Sequence, residues 1–388
     1  MSGRPLLNRR LDGLGTTIFA EMSALALATG AINLGQGFPD TDGPEAIREA
    51  AVRALRDGRG NQYPPGMGVP ELRAAIVDHQ RRFYGLDFDP NSEVLVTAGA
   101  TEAIAAAMLA LLEPGDEVIA FEPFYDSYAA SIAMAGGVRI PLTLRAPDFR
   151  PDLDALRSVV TPRTRLLLLN SPHNPTGMVL TRAELTSIAE LAVEHDLIVV
   201  TDEVYEHLVF DGEHIPLISL PGMHDRTVSI SSAGKTFSFT GWKVGWVTGS
   251  APLVAAVRAT KQFLTYVASG PFQYAIAEAL RLPDAYFTAF RDDLQTKRDL
   301  LADGLTTAGF EVYRPQGTYF ITTDIAALGE KDALAFCRSL PERCGVVAVP
   351  NSVFYDDPDA GRTQVRFAFC KKQDVLQKAA SRLLRLSP

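Results

Sequence analysis

The stretch TRLLLLNSPHNPTGMVLTRAELTSIAELAVEHDLIVVTDEVYEHLVF, Thr164 to Phe210, decides the fold. Two uninterrupted apolar runs, LLLL and LIVV, bracket the helix-like TRAELTSIAELAVEH. Continuous rather than alternating runs fit strands buried on both faces. Strand–helix alternation indicates a parallel or mostly parallel sheet with helices on both sides. Each run ends in a polar segment, NSPHNPTG at Asn170–Gly177 and TDEVYEHLVF at Thr201–Phe210. In such folds ligands bind beyond the carboxyl ends of the strands, so these two segments are where a site is expected.

The same alternation extends outward. EVLVT precedes ATEAIAAAMLALL, DEVIAF precedes FYDSYAASIAMAG, VRIPLTL precedes PDLDALRSVV, and TVSIS and KVGWVTG follow. SAPLVAAVRATKQFLTYV and PFQYAIAEALRLPDAYFTAFRDDLQTKRDLLADGL read as two long helices closing this region. After Gly309, FEVYR, TYFITT, GVVAVP and QVRFAF surround the helical DALAFCRSLP, and the chain ends in DVLQKAASRLLRL. This pattern predicts a smaller α+β domain, which the N-terminal helix TTIFAEMSALALATG is expected to join. The expected division is a large domain over 41–280 and a small one over 1–40 with 281–388.

With 388 residues, 47% hydrophobic and 21% charged, the chain is long enough for a large core. A net charge of -9 repels nucleic acid on average, and no basic run argues otherwise. MSGRPLLNRRLDGLG lacks an apolar leader core, and no stretch reaches the roughly 20 apolar residues of a bilayer span. A cytoplasmic location is the expectation. Three cysteines without C-x-x-C spacing argue against a disulfide framework or zinc site. The six histidines show no H-E-x-x-H pair, so no metal is expected.

Lysine is scarce, at eight against 29 arginines, and Lys235 is the first of them. Its setting, SISSAGKTFSFTGWKVGW, looks like the end of a phosphate-binding loop. That pattern needs a glycine five residues before Gly234, where Ser229 stands, and the TVSIS strand leads straight into the lysine. Where arginine serves for most cations, a lysine among small residues invites a chemical reason, because only an amine forms a Schiff base. A surface charge is the plain alternative. Asp202, leaving an apolar strand, is costly to bury unless it meets a cation or donor, and the plain alternatives are a helix N-cap or a solvent-facing turn; NSPHNPTG alone suits any turn.

Together these motifs resemble the fold-type-I pyridoxal-phosphate enzymes, specifically the class I aminotransferases. The resemblance runs in order through NLGQGFPD, NQYPPGMG, NSPHNPTG, TDEVYE, SSAGKTFSFTGWKVGW and QVRFAFCK, from Asn33 to Lys371. GQGFPD, EPFYDSY and GWKVGW look most like the kynurenine, glutamine and methionine aminotransferase branch. EPFYDSY and SPHNPTG also resemble N-succinyldiaminopimelate aminotransferases.

The resemblance implies pyridoxal 5'-phosphate as cofactor and amino transfer between an amino acid and a 2-oxo acid such as 2-oxoglutarate. Lys235 would hold the cofactor's aldehyde and serve as base, and Asp202 would pair with the ring nitrogen. Tyr205 and Asn174 would donate to the ring's phenolic oxygen, and Tyr125 would stack on the ring. Gly99, Ala100 and Thr101, at a helix start, would meet the phosphate with Ser232 and Lys243. Many relatives have arginine in place of Lys243, so the charge is kept and the bidentate fork lost. Tyr63 would reach the phosphate of a neighbouring subunit, implying a homodimer with shared sites. Arg366 would clamp the substrate carboxylate with Gly37 nearby, and Phe19 would line the side-chain pocket. Two other readings share the pattern: β-elimination from cysteine conjugates, and a non-catalytic binding module.

Overall fold

The computed structural model describes residues 7–11 and 17–386. Residues 1–6, 12–16 and 387–388 lie outside these, and with them most of MSGRPLLNRRLDGLG and Thr16 of the expected first helix.

A seven-stranded sheet forms the centre, in the order Val94–Thr97, Gly245–Thr248, Thr227–Ser232, Ile198–Asp202, Thr164–Asn170, Glu117–Glu122, Val138–Thr143. All pairings are parallel except the two made by Gly245–Thr248. The continuous apolar runs behave as a two-sided sheet requires, since successive side chains point to opposite faces. Leu166, Leu168, Ile198 and Val200 join one buried cluster, and Leu167, Leu169 and Val199 the other. Full burial of each such side chain contributes about 1.5–3 kcal/mol. On one face lies the helix Arg182–Glu194, whose start is set by a capping box: Glu184 N–H donates to the Thr181 hydroxyl, and Thr181 N–H donates to the Glu184 carboxylate at 2.7 Å.

A second, four-stranded antiparallel sheet runs Val349–Pro350, Gln364–Ala368, Phe320–Asp324, Glu311–Tyr313. The helices Ile18–Thr29, Ala333–Cys344 and Gln373–Leu383 share its buried cluster, through Met22, Phe336 and Leu376 among others. Ile32–Asn33 pairs in parallel with Val346–Val347. The architecture is thus the expected α/β one, a large helix-flanked sheet and a smaller sheet domain.

Two helices differ from the sequence reading. The first closes at Lys261 rather than running to Val267. The long second stretch is two helices, Gly270–Ala279 and Asp284–Thr307. Pro283 supplies no N–H to a continuing helix and becomes the N-cap of the second.

Candidate functional site

Adjacent strands deliver their last residues to one place. Asn170 and Asp202 sit side by side in register, and the neighbouring strand ends at Ser232. Beyond Ser232 the chain makes a one-turn helix, Ala233–Thr236, carrying Lys235, before it returns antiparallel at Gly245. No phosphate-wrapping loop is present there, as the sequence implied.

These ends surround a cavity of about 400 Å³. Its lining includes Phe19, Gly37, Gly99, Ala100, Thr101, Tyr125, Asn174, Asp202, Tyr205, Ser232, Lys235, Lys243 and Arg366. Of the residues singled out in the sequence, Tyr63 alone is elsewhere. It is 80% exposed and packs edge-to-face on Tyr266, with ring centroids 5.2 Å apart.

The Asp202 carboxylate, 5% exposed, lines the cavity. It accepts from the Tyr128 hydroxyl at 2.7 Å and from Val204 N–H at 3.3 Å. Burial pushes its pKa up, while those donors and Lys235 pull the other way. The Asn170 amide donates to the Asp202 carbonyl at 2.8 Å and accepts from Asn174 N–H at 2.7 Å, fixing the NSPHNPTG loop to the Asp202 strand. Burial pulls the Lys235 ammonium below its ordinary value; Cys370 and Asp202 oppose this, and Lys243 and Arg366 reinforce it.

The helix Gly99–Leu111, whose first residues also line the cavity, begins with no side-chain cap, so first-turn N–H groups are left for a ligand. A Cβ at Gly99 would stand 3.1 Å from the Lys243 amine, and Gly99 has φ +78°. Only glycine suits both the conformation and the close approach.

Arg366 is 1% exposed on an interior strand of the small sheet. It donates to the Asn174 side-chain oxygen at 2.9 Å and to the Gly35 carbonyl at 3.0 Å, and its Nε has no partner. Its guanidinium lies 4.0, 5.1 and 5.4 Å from the ring centroids of Phe320, Phe19 and Phe354. Burial lowers its pKa to about 10, which leaves it charged at neutral pH.

This donor set suits pyridoxal phosphate. The cavity lining brings together a buried carboxylate for a protonated ring nitrogen, a cation beside uncapped N–H groups for a dianion, an amine for an aldehyde, and a guanidinium whose Nε is left without a partner.

Several residues at or beside the cavity are not singled out by the sequence. Tyr128 lies three residues after Tyr125, on the same helical face, and that spacing was a usable signal. Asn170 was visible as the first residue of NSPHNPTG. Phe320 and Phe354 gave no signal, because nothing in an apolar strand or loop says which aromatic meets a distant arginine.

Behind the site, His79, Glu206 and His207 form the one metal-capable trio among the described residues. The Nε2 atoms of His79 and His207 are 2.7 Å apart, a hydrogen-bond separation. Two nitrogens on one tetrahedral zinc would stand about 3.3 Å apart, so the pair is read as donor and acceptor.

Comparison with known proteins agrees with the geometry. Residues 29–383 match the family model "Aminotransferase class I and II". A probable N-succinyldiaminopimelate aminotransferase of Mycobacterium tuberculosis is 55% identical over 96% of this chain and 97% of its own. The methionine aminotransferase of Escherichia coli K12 is 42% identical over the full length of both. A solved structure of N-succinyldiaminopimelate aminotransferase from Mycobacterium tuberculosis, 55% identical, superposes with a TM-score of 0.96 over 98% of this chain and 100% of that one. The chain belongs to the class I and II aminotransferases and is a pyridoxal-phosphate-dependent transaminase that passes an amino group to a 2-oxo acid.

Proposed function

We propose that Lys235 and Asp202 hold the two reactive ends of the cofactor, with Gly99, Ala100, Thr101, Ser232 and Lys243 at its phosphate, Tyr125 on its ring face, and Asn174 and Tyr205 at its phenolic oxygen. The observation that supports this most is that Lys235 and Asp202, from neighbouring strand ends, line one cavity together with an uncapped helix start. When bound, pyridoxal phosphate supplies an aldehyde that exchanges for the amino group and a ring that withdraws electrons from the bond to be broken.

The chain's own residues do the rest. Arg366 grips the substrate carboxylate and, fixed by Asn174 and Gly35, orients the Cα–H bond. Lys235 Nζ, with its pKa lowered by burial, takes the proton from Cα and later returns one. Asp202 keeps a proton on the ring nitrogen. Phe19, Phe38 and Phe320 exclude water on the side-chain flank.

The substrate is an L-amino acid with a long side chain. The aromatic lining favours an apolar chain such as that of methionine: besides Lys235, Lys243 and Arg366, the described lining residues offer no cation for a second carboxylate. The relative at 55% identity favours N-succinyl-LL-2,6-diaminopimelate as the second reading. Comparing kcat/KM for the two donors with 2-oxoglutarate decides between them.

A homodimer with shared sites is part of the proposal. Tyr63, Phe263 and Tyr266, at 80%, 84% and 55% exposure, present large aromatic surface outside the cavity. Three buried, unpaired cysteines, Cys337, Cys344 and Cys370, suit a reducing cytoplasm. The whole reading is tested with Lys235→Ala. Turnover should drop by several orders of magnitude, and borohydride should no longer fix cofactor to the chain. Unchanged turnover, or cofactor still fixed by borohydride, would sink it.

A further inference from the structure

Asp202 has to remain ionised in a place that opposes ionisation. It is almost wholly shielded from water, and burial is the largest influence on its pKa. A buried carboxylate keeps its charge only if donors satisfy it. The Val204 N–H is a long 3.3 Å contact, whereas the Tyr128 hydroxyl is at 2.7 Å and is itself buried. Tyrosine is an apt donor here. Its O–H is neutral, so it stabilises the anion without competing for the proton, and its own pKa is pushed well up by burial and by Asp202.

The bond also directs the carboxylate. Tyr128 occupies Oδ2 and Val204 lies on Oδ1, which fixes the rotation of the group and leaves its remaining lone pairs to the cavity. Tyr128 stands on the helix Asp126–Ala135, in register with Tyr125 one turn back, and the two rings meet edge-on at 5.8 Å and 87°. One short segment thus supplies both an aromatic residue of the cavity lining and the donor to its buried acid.

We propose that Tyr128 is a positioning residue of the transaminase, acting through Asp202: its hydroxyl holds the carboxylate oriented and ionised so that the cofactor's ring nitrogen stays protonated. This rests on the assignment of Asp202 to that nitrogen.

The test uses Tyr128→Phe in the cofactor-loaded enzyme, with three readouts. The 15N shift of ring-labelled cofactor should move toward the unprotonated form. The dissociation constant of the cofactor, followed by fluorescence, should rise severalfold. kcat should fall about tenfold, the effect of one hydrogen bond to a charged group, with KM for the amino donor nearly unchanged. Adding Tyr128→Phe to Asp202→Asn should change none of these further, because the acceptor of the bond is already altered. An unchanged ring-nitrogen shift, or full additivity of the two substitutions, would overturn the inference. If Tyr128→Phe is silent while Lys235→Ala is dead and Asp202→Asn shifts the nitrogen, only this inference fails. If Asp202→Asn also leaves the ring-nitrogen shift unchanged, the assignment beneath it fails as well.

Discussion

Arg366 donates to the side-chain oxygen of Asn174 at 2.9 Å, and this bond ties an interior strand of the small sheet to the loop that follows a large-sheet strand. The same guanidinium holds the Gly35 carbonyl and keeps Nε free. Lysine in its place would keep the charge but could not make these contacts together. For Arg366→Lys, steady-state kinetics should show KM for both amino acid and oxo acid raised roughly 10–100-fold, with cofactor affinity changed far less.

Gly99 is predicted to be intolerant. Gly99→Ala forces a positive φ on alanine and brings Cβ within 3.1 Å of the Lys243 amine. The conformational cost alone is about 1 kcal/mol, and Lys243 must also move. Titration of the cofactor-free protein with pyridoxal phosphate should show affinity at least about tenfold weaker. Equal affinity would mean that Lys243 does not work at the helix start.

Acid should destabilise the fold below about pH 6.5. Burial lowers the pKa of His79 and of His173 to about 3, so both are neutral in the folded state. Between about 3 and the ordinary 6.5 only the unfolded chain binds these protons, and stability therefore falls as pH drops through that window. Each imidazole should cost about 1.4 kcal/mol by pH 5.5. In chemical unfolding at pH 7 and 5.5, His79→Gln should lose less stability than the parent by about one such increment. An identical loss would show that His79 does not contribute to the acid sensitivity.

The aromatic patch outside the cavity predicts the oligomeric state. Phe263→Asp places a charge on a residue that is 84% exposed in the single chain and, by the proposal, covered in the dimer. Sedimentation should find a dimer for the parent and a monomer for the variant, with weakened cofactor binding. Tyr63→Phe should leave the dimer intact and weaken only the cofactor. A monomeric parent with full activity would refute shared sites.

Much of this protein was legible before any coordinates. The unbroken LLLL and LIVV runs required a sheet buried on both faces, because an alternating residue exposed to water would have been polar. The polar segments at their ends mark where a site is expected and contain Asn174, Asp202 and Tyr205, the resemblance to the aminotransferases singles those residues out, and the scarcity of lysine draws attention to Lys235. Helix ends were less legible: a single proline at 283 divides a stretch whose apolar periodicity runs on without a break.

What the sequence determined by itself was the order of elements and the chemical kinds of residue at strand ends, since local pattern and short-range spacing encode both. Only the tertiary structure decided that Tyr128 meets Asp202 across 74 positions, that Phe320 and Phe354 flank Arg366, and that Tyr63 stands away from the cavity of its own chain. Those contacts join segments far apart in the chain, and they are fixed by packing of the two sheets, which no local rule of spacing contains.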